Sequence, residues 1–298
     1  MDLALVTRFF TLDVLSTVAF GKAFGFMAAN DDLWDFNKTN ADFLLILSLG
    51  LNHPWITWIL ARPWVQALVA PRDTDRTGFG PAVKFARKAV AERYGADAKV
   101  KNDMLGSFVN KGLSQLQCEA EAFLQILAGS ESTTTGLRTT LFSLISNPQA
   151  YAKLKAEVDT MHSQKGIADQ IIAYADAQKL PYLNACIWEA LRMYPPLFGL
   201  QSKLAPAEGE MIDGVFFPPG TEVAICDEAM CRREDIFGPD CYRFDPDRWT
   251  EANEETRNKY RRTVDTIFGT GRYTCLGKHI AMIELHKAIF EVRRSKDM

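Results

Sequence analysis

The run Phe268-Gly269-Thr270-Gly271-Arg272-Tyr273-Thr274-Cys275-Leu276-Gly277 constrains this chain more than any other segment. Three glycines crowd one cysteine, and an amphipathic helical pattern follows it (Ile280, Ile283, Leu285, Ile289). Glycine frees the backbone for a tight loop and lets a large flat object approach closely. A cysteine at the head of a helix faces free backbone N–H groups, which favour its thiolate. A thiolate held this way can ligate iron from one side and push electron density into it. The fold must therefore deliver a glycine-lined bend directly into a final helix.

The chain has 298 residues, 47% of them hydrophobic, enough to bury a large core. No linker rich in Pro, Gly or Ser divides it. The net charge of −3 argues against a nucleic-acid partner. The six cysteines (118, 186, 226, 231, 241, 275) form no CxxC pair and show no regular spacing. That favours free thiols in a reducing, intracellular compartment over a disulfide framework or a zinc site. Met1-Asp2 runs straight into a helical pattern, with no signal peptide. The most apolar stretch, residues 43–51 continuing as 54–61, is interrupted by Asn52-His53-Pro54, and neither half can span a bilayer. It contains Trp55 and Trp58, with Trp64 just beyond. Peripheral contact with a membrane surface is one reading of these tryptophans, and a packed helical hairpin is the other.

Periodicity predicts helices over residues 2–25 (stripe Leu5, Phe9, Leu12, Leu15, Val18), 31–50, 54–70, 78–94 and 114–146. Asn147-Pro148 opens a helix to about residue 162, followed by 168–178 and then 182–193, which Pro195-Pro196 stops. Strands are predicted at 210–212 and 215–217 around the turn Asp213-Gly214, with a third at 221–225. Residues 236–266 read as irregular, and the last helix runs to about 293. The fold class is mainly α with a small β-sheet.

Glu189 and Arg192 lie three residues apart on one face of a helix whose other neighbours are apolar (Leu183, Ile187, Leu191). Exposed pairs of this kind are common and contribute little; the downstream segment Phe244-Asp245-Pro246-Asp247-Arg248-Trp249 raises the interest of this one. Ala128-Gly129-Ser130-Glu131-Ser132-Thr133 is poor helix material placed mid-helix. Its hydroxyls can bond back to carbonyls a turn earlier and distort the helix, making room for a water or dioxygen; a chance polar cluster on a surface helix is the plain alternative. Cys275, His279 and His286 fall short of the four ligands of a structural zinc site.

Taken together, these motifs resemble the cytochrome P450 family, the haem-thiolate monooxygenases, and fungal members in particular. The family pattern Phe-x-x-Gly-x-Arg-x-Cys-x-Gly is met by Phe268, Gly271, Cys275 and Gly277. Tyr273 stands where the pattern has arginine, with Arg272 one place earlier. The resemblance implies haem b (iron protoporphyrin IX) with Cys275 as the axial iron ligand. It makes Arg272 and Lys203 candidate partners of the haem propionates, and Glu189, Arg192 and Arg248 a structural cluster bracing the cysteine loop. Glu131, Ser132 and Thr133 become the acid and hydroxyls that deliver protons on the distal face. Leu127, Ala128, Leu197 and Leu200 become substrate-pocket residues. An NADPH-dependent reductase would supply electrons, with Arg261, Arg262 and Lys278 as candidate docking cations. A lipophilic small molecule, in secondary metabolism, would be the substrate.

The four motifs occur in the family's order over nearly the whole chain. They imply one partial domain, 1–298: distal helices 1–146, the Glu-x-x-Arg helix and small sheet 181–226, and the cysteine loop and last helix 268–293. The match begins midway through the family's helical domain and stops before its closing strands. Full-length family members of eukaryotes sit at the endoplasmic reticulum membrane through an anchor that is not among these residues. Two readings stay open at this point: a working monooxygenase, or a catalytically inactive haem-binding remnant or interaction module. Retention of the acid–hydroxyl pair argues against a haem-thiolate isomerase or dehydratase.

Overall fold

In the computed structural model, which describes residues 2–95, 98, 101–165, 170–197 and 201–294, the first helix stops at Gly21. That glycine takes a left-handed backbone (φ 76°), and its N–H closes on Thr17 O, so α1 spans Leu3–Phe20 rather than the predicted 2–25. Asp2 caps the other end by accepting from Ala4 N at 2.8 Å. The described residues divide into two units, Met1–Arg138 and Thr139–Met298.

The first unit is helical. After α2 (Phe26–Ala29), the predicted 31–50 and 54–70 resolve into α3 (Phe36–Asn52), α4 (Pro54–Leu60) and α5 (Pro63–Val69). Pro54 and Pro63 each occupy a first turn, where the missing N–H costs nothing, so proline both ends one helix and starts the next. Next come α6 (Gly80–Ala91), the unanticipated α7 (Met104–Asn110) and the first part of α8 (Gln115–Ile145). Asp103 caps α7 through Gly106 N and pairs with the buried Arg93 at 2.5 Å. Phe9, Leu12, Phe26, Phe36 and Ile126 lie in the core of this unit.

Among the described helices, α1 alone is long and apolar enough to cross a membrane by length and composition. Phe9, Leu12, Leu15 and Ala19 of this helix are buried inside the protein. Helices α3 and α4 do pack against each other, with Thr57 Oγ1 donating to Gly50 O at 2.8 Å, but the tryptophans stay outside that packing: Trp55, Trp58 and Trp64 are 63%, 62% and 69% exposed.

The second unit holds the rest: α9 (Pro148–Lys165), α10 (Tyr174–Ala177), α11 (Pro181–Met193), β1 (Gln201–Leu204), β2 (Glu210–Ile212), β3 (Val215–Phe217), β4 (Glu222–Ile225), α12 (Asp227–Met230), α13 (Glu234–Phe237), α14 (Asp247–Glu251), α15 (Glu254–Asp265) and α16 (Lys278–Arg294). The Asp213-Gly214 hairpin forms as expected, with both residues at positive φ (48° and 81°) and Glu210 opposite Phe217. The third predicted strand pairs not with this hairpin but with β1, antiparallel, Lys203 opposite Val223, giving two separate two-stranded sheets. The stretch read as irregular contains the end of α13 and all of α14 and α15. Helix α15 escaped notice because its sequence is almost wholly polar and it buries only Thr263 and Val264. Helix α11 is the buried centre, packed against α9 and α16. Glu157 caps it by accepting from Tyr182 N (2.9 Å) and Leu183 N (2.8 Å).

Candidate functional site

The cysteine loop is built from two tight turns. Phe268 O accepts from Cys275 N at 2.6 Å, and Gly271 O accepts from Thr274 N at 3.2 Å and from Thr274 Oγ1 at 2.7 Å. Gly269 is obligatory there: its φ is 71°, and a Cβ would lie 2.4 Å from Tyr273 O. The loop closes directly into α16. Residues 270–276 are all exposed, Cys275 is a free thiol, and Leu276 is 92% exposed. A Cβ at Gly277 would stand 3.8 Å from the Cys275 sulfur, so glycine keeps that side of the thiol open. A bare thiol beside a bare leucine on a glycine-lined bend fits a large, flat, apolar group that is ligated through sulfur.

Behind this loop lies a buried ion pair. Arg192 Nε and Nη2 donate to Glu189 Oε2 (2.8 Å) and Oε1 (2.7 Å), and both side chains are fully buried. Arg192 also donates to Cys231 O, Cys241 O and Arg243 O. Glu189 accepts further bonds from Asp245 N (2.9 Å) and Trp249 Nε1 (2.8 Å). Arg248 lies 3.6 Å from Glu189 Oε1 but donates instead to Phe237 O and Asp240 O. Burial pulls the Arg248 pKa down, yet Glu189 and Asp240 outweigh it and hold it above its ordinary value. The contact to the loop is aromatic: Trp188 meets Phe268 edge-on at 6.4 Å, and Trp249 lies beside Trp188, tilted by 33° at 6.2 Å. Trp249 was visible in the sequence beside Arg248, yet its indole N–H, not Arg248, makes the hydrogen bond to Glu189.

Two cations flank the loop. Lys203 on β1 donates to Thr270 Oγ1 at 2.7 Å, and Arg272 donates to the Tyr273 hydroxyl at 2.8 Å. Lys203, Thr270 and Tyr273 line a cavity of about 350 Å³ that also borders β4. The docking cations are largely engaged: Lys278 Nζ bonds both Asp265 oxygens (2.8 and 2.9 Å), and Arg261 stacks on Trp188 at 4.7 Å.

In the first unit, α8 is a continuous helix through the expected distortion. Ser132 Oγ bonds back to Ala128 O at 2.8 Å. The Glu131 carboxylate is held by Arg8 of α1 (2.7 and 2.8 Å) and by Asn40 of α3 (3.3 Å). The Thr11 and Thr134 hydroxyls are hydrogen-bonded at 2.5 Å. Thr133 is buried, Leu127 half-buried and Ala128 exposed. Nothing in the sequence signalled Arg8 or Asn40, because each meets Glu131 across about 90 residues or more. Gly129 has a packing role: its Cβ would sit 3.1 Å from the Leu15 methyls of α1. Leu197 is exposed, and Leu200 lies outside the described residues.

A family model described as Cytochrome P450 matches residues 1–292. The chain belongs to the cytochrome P450 family. The cytochrome P450 monooxygenase ABA1 of Pyricularia oryzae is 39% identical over 297 residues, covering 100% of this chain and 58% of that protein. The monooxygenase aba1 of Botryotinia fuckeliana is 38% identical over 298 residues, covering 100% of this chain and again 58% of the relative. The monooxygenase pkfB of Emericella nidulans is 32% identical, covering 97% of this chain and 57% of its own length. The chain thus spans under two thirds of the curated relatives it matches. A crystal structure of the cytochrome P450DA heme domain has a TM-score of 0.74 at 22% identity, over 98% of this chain and 61% of that one. At that identity the likeness shows the fold.

As a P450, the chain belongs to a haem-binding family, and the exposed Cys275 on its glycine bend is chemically suited to the thiolate ligand that haem iron takes. Among the described residues no three or more His, Cys, Asp or Glu side chains are grouped so as to hold a metal ion. His286 is buried and bonded to Met282 O and Asn184 Oδ1, and burial holds its pKa below the ordinary value. Four of the remaining cysteines are buried as small hydrophobes, but Cys226 is exposed.

Proposed function

We propose that this chain carries the haem-thiolate site of a monooxygenase that oxidises a lipophilic small molecule in secondary metabolism. The supporting observation is the free, exposed Cys275 thiol on a glycine bend, backed through Phe268 and Trp188 by the buried Glu189–Arg192–Trp249 cluster. Haem b, when bound, supplies reductive activation of dioxygen and delivery of one oxygen atom to a substrate C–H bond. Cys275 would hold the iron through its sulfur and donate electron density to it. Phe268, Gly271 and Gly277 shape the bend, and Lys203 and Arg272 offer positive charge to the haem carboxylates. Glu189, Arg192 and Arg248 keep the wall behind the loop rigid.

Glu131 and Ser132 relay protons for the reaction, with Thr133 as the adjacent hydroxyl. Arg8 and Asn40 keep the Glu131 carboxylate in place, and the Ser132 hydroxyl must leave Ala128 O to carry a proton onward. Leu127, Ala128 and Leu197 bound the substrate. An NADPH-dependent reductase donates electrons. The exposed tryptophans of α4 and α5 rest against a membrane surface, consistent with the preference of indole for the membrane–water boundary.

The test is turnover under ¹⁸O₂ with haem-loaded protein, a reductase, NADPH and a panel of lipophilic substrates. One labelled oxygen per product molecule is expected, with Glu131→Gln diverting reducing equivalents to peroxide. Consumption of NADPH that yields unlabelled product, with the haem ligated through Cys275, contradicts the monooxygenase reading.

A further inference from the structure

Lys203 and Arg272 stand on the same aromatic ring. Lys203 Nζ lies 5.6 Å from the centre of the Tyr273 ring, and the Arg272 guanidinium carbon lies 4.8 Å from it. Each cation is also tied by one hydrogen bond: Lys203 to Thr270 Oγ1 (2.7 Å) and Arg272 to the Tyr273 hydroxyl (2.8 Å). Among the described residues neither has a carboxylate partner within ion-pair distance. Lys203 is fixed by the β1–β4 pairing, and Tyr273 by the turn in which its N–H meets Thr270 O at 3.2 Å. Two like charges gathered on one ring repel each other, and an aromatic face offsets only part of that. An anion between them would relieve that repulsion. It lies on the same turn as Cys275, two to three residues before the sulfur.

We propose that Tyr273 is a positioning residue: its ring and hydroxyl hold Lys203 and Arg272 as a two-cation clamp for the two carboxylates of the porphyrin bound at Cys275. The proposal rests on the haem-thiolate reading of Cys275. The tyrosine does not replace the arginine of the family pattern as a ligand. It places two other cations, one from the strand and one from the loop. Arg272 keeps a planar fork for a carboxylate, whereas Lys203 acts as a point charge. Removing the phenol oxygen frees Arg272 and leaves Lys203 on Thr270 and the ring.

The experiment loads the protein with haem b and, separately, with its dimethyl ester, which keeps ring and iron but carries no carboxylate charge. Loss of porphyrin to excess apomyoglobin gives the off-rate. Wild type is expected to hold haem b about tenfold longer than the ester, or more. Lys203→Met and Arg272→Met should each release haem b several-fold faster and leave ester release unchanged. Tyr273→Phe should match Arg272→Met, and Lys203→Arg should restore retention. All these positions are exposed, so thermal unfolding of the apoprotein should stay unchanged. Equal retention of haem b and ester by wild type overturns the clamp, as do variants that shift both release rates together. Failure of wild type to take up either porphyrin overturns the haem reading itself, and the clamp with it.

Discussion

Burying Glu189 with Arg192 costs desolvation free energy that only complete pairing offsets. Every contact around the pair serves that end: two parallel bonds between the side chains, three carbonyls on the guanidinium, and an indole and a backbone N–H on the carboxylate. Glu189→Ala leaves a buried guanidinium without its anion and should destabilise the protein by roughly 3–5 kcal/mol in urea unfolding. A loss below about 1 kcal/mol would show the pair to be dispensable. Glu284 of α16 is the opposite case, a buried carboxyl whose Oε2 has no hydrogen-bond partner. Burial pushes it up to about 8. Unfolded glutamate titrates at about 4.3, so the folded protein holds a proton that the unfolded chain releases between those values. Its contribution to stability is full below about 4.3 and is lost as pH rises through about 8. The difference in unfolding free energy between wild type and Glu284→Gln should fall by up to about 1.4 kcal/mol per pH unit across that window and level off above it. Parallel pH profiles would contradict this. Glu189 and Arg192 were legible from their spacing and apolar neighbours. The isolation of Glu284 was not, because a lone acid in a helical pattern looks the same whether or not anything reaches it.

At the level of helices, α1 and α8 meet where Gly129 faces Leu15. Alanine at 129 should gain about 1 kcal/mol of helix propensity and lose part of it to the 3.1 Å contact. Gly129→Ala alone should therefore be near neutral, and should be more stabilising by about 1 kcal/mol in a Leu15→Ala background. Additive effects would mean that the helices do not meet there. The Arg8–Glu131 bridge joins the same two helices, and a double-mutant cycle of Arg8→Met with Glu131→Gln should return a coupling of roughly 1–2 kcal/mol. Long helices such as α8 were legible because apolar periodicity and a proline boundary agree. The charged α15 was hidden by its lack of an apolar stripe, and β1 by the absence of any local cue to its pairing with β4. Arg8 and Asn40 reach Glu131 only through tertiary packing, which no local pattern encodes.

Across the whole molecule, the order of motifs carried the family, because four constellations in sequence are far more specific than one. The central claim is narrower: that the Cys275 sulfur is the haem ligand. Cys226 is the other exposed thiol among the described residues, which makes it the proper control. The decisive measurement is the absorption spectrum of the haem-loaded, reduced, carbon-monoxide-bound protein in wild type, Cys226→Ser and Cys275→Ser. The account predicts the signature of thiolate-ligated haem in the first two and its loss in Cys275→Ser. Persistence of that signature in Cys275→Ser, or its absence from wild type, would contradict it.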